Sequence, residues 1–159
     1  MFQKVAYNQT REENYELLLR QLEALLDGEH NRIANLANAS ALLMQFMEDV
    51  NWVGFYLLEE GELVLGPFQG MPACVRIPLG KGVCGAAAVK KATVRVDDVH
   101  QFPGHIACDA ASRSEIVIPM MTQGEVVGVL DVDSPMHERF DERDQIYLEQ
   151  FVDVIMKLW

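Results

Sequence analysis

Two segments that read as β-hairpins lie between segments with a helical period, and this order limits the folds open to the chain. The segment NWVGFYLLEEGELVLGPF reads as two strands joined by a tight turn at Glu60 and Gly61. A second hairpin is predicted from EIVIPMM, the turn QGE and VVGVLDVDS. Strands joined by such tight turns pair antiparallel. The sequence therefore predicts an antiparallel sheet.

Helical patterns flank and interrupt the two hairpins. Thr10 begins a capping-box pattern ahead of a helix predicted over residues 11–27. Further helices are predicted at about 31–48, within GVCGAAAVKK, and after Asp141 as an N-cap. The predicted fold class is α+β, with the terminal helices on one face of the sheet. The short helix and the long loops would cover the other face and leave a ligand pocket.

The length and charge of the chain limit its domain count and its partners. The chain has 159 residues, so one domain over residues 1–159 is expected. The formal net charge of −11 disfavours nucleic acid and anionic membrane surfaces, because both would repel it. No apolar run approaches the ~20 residues that a membrane span needs, and the N-terminus lacks an apolar signal-peptide core. We therefore expect a soluble cytoplasmic protein.

Three acidic residues are predicted to meet at one end of the sheet. Asp131 and Asp133 lie two apart on an otherwise apolar strand, so their side chains point to the same face. Glu115 begins the partner strand of that hairpin. The pattern indicates either an exposed strand end or a small acidic pocket that would bind an ammonium group. In such a pocket, mutual repulsion would keep one carboxyl protonated and able to act as a general acid.

Two aromatic residues share one face of the first predicted strand. Trp52 and Tyr56 are separated by Gly54 on that face, and the alternate residues are also apolar. Such rings are typical of a hydrophobic core. The glycine between them would nevertheless leave a concavity suited to a small apolar or sulfur-containing group.

The three cysteines, Cys74, Cys84 and Cys108, lie in predicted loops or at a helix start. Their odd number and the expected cytoplasmic location argue against a structural disulfide framework. Backbone N–H groups at the start of the short helix would favour the Cys84 thiolate, and a protonated His105 would favour that of Cys108. A metal site formed by His100, His105 and Cys108 is an alternative, although no complete ligand set has a familiar zinc spacing.

Three segments resemble a known family. GPFQGMPACVRIPLGKGVCG, DVHQFPGHIACDAASRSEIVIP and GVLDVDS are similar to the free methionine-(R)-sulfoxide reductases, which are built on the GAF domain. The resemblance covers roughly residues 30–158, which would form the GAF core behind the N-terminal helix. It implies reduction of free methionine-(R)-sulfoxide in the pocket of a homodimer. It also implies that thioredoxin is the external reductant and that no resident cofactor or metal is needed.

The resemblance assigns roles to the three thiols. Cys108 would be the nucleophile that attacks the sulfoxide sulfur and becomes a sulfenic acid. Cys74 and Cys84 would be the candidate resolving thiols that form the disulfide later reduced by thioredoxin. Cys74 is preferred, because the loop before the short helix can move to meet Cys108.

The resemblance also assigns the substrate-binding residues. Glu115, Asp131 and Asp133 would bind the ammonium group and the sulfoxide oxygen, with Asp133 or Glu115 preferred as the proton donor. Trp52 and Tyr56 would contact the methyl-sulfoxide end. The alternative function is a non-enzymatic GAF sensor that binds a small molecule. Sensors usually carry an output domain, for which 159 residues leave no room, so we expect the reductase.

Overall fold

The structure, a computed structural model, describes residues 5–106 and 109–159, so the predicted nucleophile Cys108 lies outside the described residues. Within these ranges the α-helices are α1 (Arg11–Leu26), α2 (Arg32–Phe46), α3 (Gly82–Lys90) and α4 (Glu142–Met156). The β-strands are β1 (Trp52–Glu59), β2 (Glu62–Gln69), β3 (Arg76–Pro78), β4 (Val94–Val96), β5 (Ser114–Thr122) and β6 (Glu125–Ser134). A short 3-10 helix spans Val99–Gln101.

Side-chain caps fix where the outer helices begin. The Thr10 hydroxyl accepts a hydrogen bond from the Glu13 N–H, and the Glu13 carboxylate accepts one from the Thr10 N–H, as the capping box predicts. Asp141 and Asp144 form the same reciprocal pair at the start of α4. Gly28 follows α1 with a φ of +76°, which glycine adopts without steric cost. None of the helices in the described part of the chain is long and apolar enough to cross a membrane.

The strands form one sheet in the order β3-β2-β1-β6-β5-β4, with antiparallel pairing throughout. The two predicted hairpins supply its four central strands. Their turns, Glu60–Gly61 and Gln123–Gly124, have positive φ at both residues, as a type I′ hairpin turn requires. The edge strand β3 was not predicted, because three residues carry too little periodicity to mark a strand. The predicted antiparallel sheet is confirmed.

The two faces of the sheet have different coverings. The face against α1, α2 and α4 is an apolar core, to which the central strands contribute Val53, Phe55, Ile116, Ile118, Leu130 and Val132. The opposite face packs against α3 and the loops, and its apolar strand residues include Trp52, Tyr56, Val117 and Val129. Side chains alternate between these faces along each strand. The predicted arrangement, with terminal helices on one face and a short helix on the other, is confirmed.

A buried carboxylate joins α1 to α4. Asp144, with a side chain 1% exposed, lies 2.6 Å from Arg11 Nη2 and 3.2 Å from Arg139 Nη1. It also accepts a hydrogen bond from the Tyr15 hydroxyl. Because a buried carboxylate is tolerated only when it is paired, this network fixes how the two terminal helices pack on the sheet.

Strict alternation of side chains between the two faces fails at the start of β6. Val127 has no cross-strand partner in β5, and it packs toward the helices, whereas Val126 packs with Val129 on the α3 side. A bulge residue shifts the phase of a strand, so Val127 does not share the face of Val129. The bulge ends before Asp131 and Asp133, so their shared face is unaffected.

Candidate active site

The pairing of β6 with its neighbours brings the three predicted acids together. Asp133 pairs with Trp52 of β1 and with Glu115 of β5, and Asp131 lies two residues earlier on the same face. Asp131 and Glu115 are each 6% exposed. Of the two interpretations that the sequence left open, the structure thus favours a pocket over an exposed strand end.

A narrow cavity lies above these acids, on the side of the sheet away from α1, α2 and α4. Its volume is about 500 Å³ including the part open to solvent, and the centre of a water molecule reaches about 30 Å³ of it. Lining residues that matter for the chemistry are Trp52, Tyr56, Cys84, Glu115, Asp131 and Asp133. The space that a water centre reaches is enough for a few water molecules at most, so the predicted pocket is present in a narrow form.

Burial makes all three carboxyl groups hard to ionise. It raises the pKa of Asp131 to about 7. The pKa values of Glu115 and Asp133 lie well above their usual range, first because of burial and then because of repulsion from Asp131. The cluster therefore retains protons at neutral pH.

The acid cluster has an unsatisfied acceptor. Asp131 Oδ1 is buried and has no hydrogen-bond partner among the described residues, and no described residue lining the cavity is a lysine or arginine. His105 Nε2 lies 3.8 Å from Glu115 Oε2, but burial and then repulsion from His100 lower the pKa of His105. Its ring is thus mainly neutral near pH 7, which disfavours the predicted protonated His105 beside Cys108.

Cys84 lies at the cavity in the first turn of α3, as predicted, but its surroundings oppose ionisation. Its Sγ lies 3.9 Å from Glu115 Oε1. Burial raises the pKa of the Cys84 thiol well above its usual range, and the charges of Asp131 and Glu115 raise it further. The prediction that the helix start favours the thiolate is therefore wrong. Acids from β5 and β6, distant in sequence, outweigh the backbone N–H groups of α3.

Cys74 lies in the loop between β2 and β3, next to Ala73 of the cavity wall. It is disulfide-bonded in the structure, whereas Cys84 is a free thiol. The Tyr56 hydroxyl donates a 2.9 Å hydrogen bond to the Cys74 carbonyl oxygen, which ties this loop to β1. The two candidate resolving thiols therefore differ in both bonding and environment.

Trp52 and Tyr56 both line the cavity, but the space predicted between them is filled. Their ring centroids lie 5.9 Å apart. A Cβ at Gly54 would lie 2.5 Å from the Trp52 ring and 2.3 Å from Phe68 Cβ. Gly54 therefore makes room for the Trp52 ring and not for a ligand, and the predicted concavity between the two rings is wrong. Both rings instead form part of the wall of the larger cavity.

The loop that follows Cys108 is anchored by a residue that the sequence analysis missed. Asn51 Nδ2 donates hydrogen bonds to Asp109 Oδ2 at 2.8 Å and to Ser112 Oγ at 3.1 Å. The Asn51 backbone N–H donates to the carbonyl oxygen of Asp133 at 3.0 Å. Asn51 thus joins this loop to the strand that carries the acids. No local pattern marks Asn51, because its contact with Asp109 spans 58 residues.

The metal site predicted as an alternative remains untested at its thiol ligand. The rings of His100 and His105 lie 6.5 Å apart between centroids, and Cys108 is outside the described residues. Within the described ranges, a different group has donor atoms at the spacing of metal ligands, and it consists of Cys84, Glu115 and Asp131.

Comparisons with known proteins agree with this fold. The GAF domain family model matches residues 34–157. The chain is 53% identical to the free methionine-R-sulfoxide reductase of Escherichia coli (strain K12), over 92% of this chain and 88% of that protein. It is 56% identical to Protein YtsP of Bacillus subtilis (strain 168), over 99% and 98% of the two chains. The structure of fRMsr of Staphylococcus aureus in complex with substrate shares 52% identity at a TM-score of 0.88, over 97% and 99%. The chain therefore belongs to the free methionine-R-sulfoxide reductase family of GAF domain proteins.

Proposed function

We propose that this protein reduces free methionine-(R)-sulfoxide to methionine. The observation that carries the proposal is the group of acids formed by the buried Glu115 and Asp131 and the half-buried Asp133, which has no lysine or arginine partner among the described lining residues. A free amino acid brings an ammonium group that complements this charge, whereas a methionine within a peptide does not. The name of the Escherichia coli relative and the substrate complex of the Staphylococcus aureus structure support the same substrate.

The acids divide into two roles by their tendency to ionise. Asp131 presents an unpartnered oxygen, and its pKa of about 7 leaves it readily ionised when a cation approaches. It is therefore the proposed ligand of the ammonium group. The pKa values of Glu115 and Asp133 lie well above the usual range, so these groups keep their protons to higher pH than ordinary carboxyl groups. They are the proposed proton donors, and Asp133 also contacts Ser112 in the loop that follows Cys108.

Cys108 is the proposed nucleophile. Its thiolate attacks the sulfoxide sulfur while a carboxyl group protonates the oxygen, because oxide is a very poor leaving group. Two electrons pass from the cysteine sulfur to the methionine sulfur. Methionine leaves, and a sulfenic acid remains on Cys108. The thiol of Cys74 then displaces water to form a disulfide, which thioredoxin reduces by exchange.

Two properties of the thiols support Cys74, and not Cys84, as the first resolving thiol. Cys74 is disulfide-bonded in the structure, and Cys84 is not. Burial and nearby acids raise the pKa of the Cys84 thiol, which makes it a poor nucleophile at neutral pH, since the thiolate is the reactive form.

The proposal includes a setting for the enzyme. Reduction by thioredoxin requires a reducing compartment, so a cytoplasmic location is proposed, with no resident cofactor or metal. A homodimer is the proposed assembly. Cell fractionation and light scattering of the purified protein test these two statements separately from the activity.

Thioredoxin-coupled oxidation of NADPH tests the proposed reaction. Free methionine-(R)-sulfoxide should be turned over, whereas its S epimer and its N-acetylated form, which lacks the ammonium group, should not. Cys108→Ser should lose turnover while keeping the wild-type thermal midpoint, and undiminished turnover would exclude Cys108 as the nucleophile. If the wild-type protein consumes no free thiols when the sulfoxide is added anaerobically, the sensor function is favoured instead.

A further inference from the structure

The thiol of Cys84 and two carboxylates converge in the pocket. Donor atoms of Cys84, Glu115 and Asp131 all lie within 4.8 Å of one another, and the three residues are buried. Within this group Cys84 Sγ lies 3.9 Å from Glu115 Oε1. Four-coordinate zinc, with bonds of about 2.3 Å to sulfur and 2.0–2.2 Å to oxygen, holds its ligand atoms about 3.5 Å apart. Side-chain movements of about an ångström would therefore bring these donors to one ion.

A second observation at the same place is a buried acceptor without a hydrogen-bond partner. Asp131 is only 6% exposed, and its Oδ1 is buried without a hydrogen-bond partner among the described residues. An unpaired buried acceptor is costly. No lysine or arginine among the described lining residues reaches it. Because Asp131 ionises near neutral pH, a cation that enters the pocket is favoured as the ligand of this oxygen.

The thiol of Cys84 indicates which cations, other than the substrate's ammonium group, these three residues would bind. A thiol sulfur is a weak acceptor for an N–H donor, so Cys84 contributes little to ammonium binding. Zinc and similar borderline-soft ions displace the protons of thiol and carboxyl ligands when they bind, and they suit a ligand set of sulfur and oxygen, whereas magnesium and calcium prefer oxygen ligands alone. His105 Nε2, 3.8 Å from Glu115 Oε2, places an imidazole at the edge of the group where it could complete four-coordination.

We infer that Cys84, Glu115 and Asp131 bind a divalent ion of the zinc class inside the pocket. The ion occupies the acids that the proposed function assigns to the substrate, so it acts as an inhibitor that competes with free methionine sulfoxide. Only this inhibition rests on the proposed function. The binding of the ion rests on the donor geometry and on the unsatisfied oxygen.

Cobalt provides a direct test, because a thiolate bound to Co²⁺ gives a ligand-to-metal charge-transfer band. Phosphine-reduced protein should bind one Zn²⁺ per chain in equilibrium dialysis and show the band with Co²⁺. Cys84→Ser should abolish the band, and Asp131→Asn should weaken Zn²⁺ binding by at least about tenfold, since even outer-shell partners of a metal are worth that much. The double variant Cys74→Ser, Cys108→Ser keeps Cys84 as its one thiol and should retain the band.

The matched control is an exposed group that also offers imidazole and carboxylate donors. Asp98 Oδ1 lies 3.2 Å from His100 Nδ1 and 3.8 Å from His137 Nδ1, so Asp98→Asn removes the centre of this surface group and should leave binding unchanged. The inference is overturned if reduced protein binds no stoichiometric Zn²⁺, if Asp98→Asn removes the binding, or if the double variant shows no band. The test with the double variant does not depend on whether Cys84→Ser folds.

The activity assay separates this inference from the proposed function. Zinc at stoichiometric occupancy should raise the KM for free methionine-(R)-sulfoxide and leave kcat unchanged. Protein that binds zinc through Cys84 but reduces no sulfoxide would overturn the proposed function and leave the metal site standing. Protein that reduces the sulfoxide but binds no zinc would overturn the metal site and leave the proposed function standing.

Discussion

Replacement of Asp131 by asparagine should make the folded protein more stable than wild type at pH 8, and this advantage should disappear in acid. Asparagine has nearly the same shape as aspartate and does not ionise. The substitution therefore removes a buried negative charge that is 6% exposed and repels both Glu115 and Asp133. Most substitutions of buried residues destabilise a protein. An increase in the free energy of unfolding is therefore expected only if the charge of Asp131 is costly in the folded protein.

The magnitude follows from the pKa of Asp131. Burial raises it from 3.8 to about 7, and each pH unit corresponds to about 1.4 kcal/mol. Ionising Asp131 in the folded chain therefore costs up to about 4 kcal/mol. The variant recovers only part of this free energy, because Glu115 and Asp133 ionise more easily once the neighbouring charge is gone. Loss of a hydrogen-bonding oxygen costs the variant about 1 kcal/mol at every pH.

The sign of the pH dependence is fixed by linkage. An acid whose pKa is higher in the folded chain than in the unfolded chain binds more protons when folded, so the free energy of unfolding falls as the pH rises between the two values. For Asp131 this range runs from 3.8 to about 7. Urea unfolding of both proteins from pH 5 to pH 8 should show the variant gaining up to about 3 kcal/mol relative to wild type, with most of the change below pH 7.

An exposed carboxylate outside the pocket provides the control. Asp153 lies on the solvent side of α4. The free energy of unfolding of Asp153→Asn should differ from that of the wild type by a constant amount over the same pH range. The reasoning is refuted if the difference for Asp131→Asn is equally constant. It is also refuted if that variant loses stability relative to wild type as the pH rises.

Three further substitutions probe the packing around the pocket. Gly54→Ala should lower the free energy of unfolding by at least about 1–3 kcal/mol, because its Cβ would lie 2.5 Å from the Trp52 ring; an unchanged urea midpoint would contradict this. Asp144→Ala should lower the free energy of unfolding by about 3–5 kcal/mol, since it removes the buried carboxylate that two arginines and a tyrosine share; a loss below about 1 kcal/mol in urea unfolding would show that the network contributes little. Tyr56→Phe removes the 2.9 Å hydrogen bond to the Cys74 carbonyl oxygen, which costs about 0.5–1.5 kcal/mol. It should slow disulfide formation after a single turnover more than it slows methionine release, and equal slowing of both steps would contradict this.

Features set by neighbouring residues could be predicted from the sequence. The capping boxes that begin at Thr10 and Asp141 depend on side chains three residues apart, and the turn at Glu60–Gly61 depends on two residues that tolerate positive φ. The shared face of Asp131 and Asp133 follows from the strand period. These features fixed the antiparallel sheet and the side of it on which the acids lie.

Features set by contacts between distant segments could not be predicted in the same way. The helix start at Cys84 predicts an easily formed thiolate, but acids that arrive from two other strands reverse this. The space above Gly54 is filled by the Trp52 ring, which local alternation does not reveal. Asn51 is bound to a loop 58 residues away. In each case the property belongs to a neighbour in space that the local pattern does not specify.

The strand that carries the acids explains why the pocket needs a positive ligand. Asp131 and Asp133 alternate along β6 with Leu130 and Val132, which are fully buried in the core against the helices. Because a strand exposes alternate residues to opposite faces, β6 cannot turn the acids toward water without removing these aliphatic side chains from the core. The repulsion among the acids can therefore be relieved by protonation or by a bound cation. Near neutral pH protonation relieves it only in part, since the pKa of Asp131 is about 7. Under the proposed function, an ammonium group that enters with a free amino acid would supply the remainder, so the packing of the core would select the charge of the ligand.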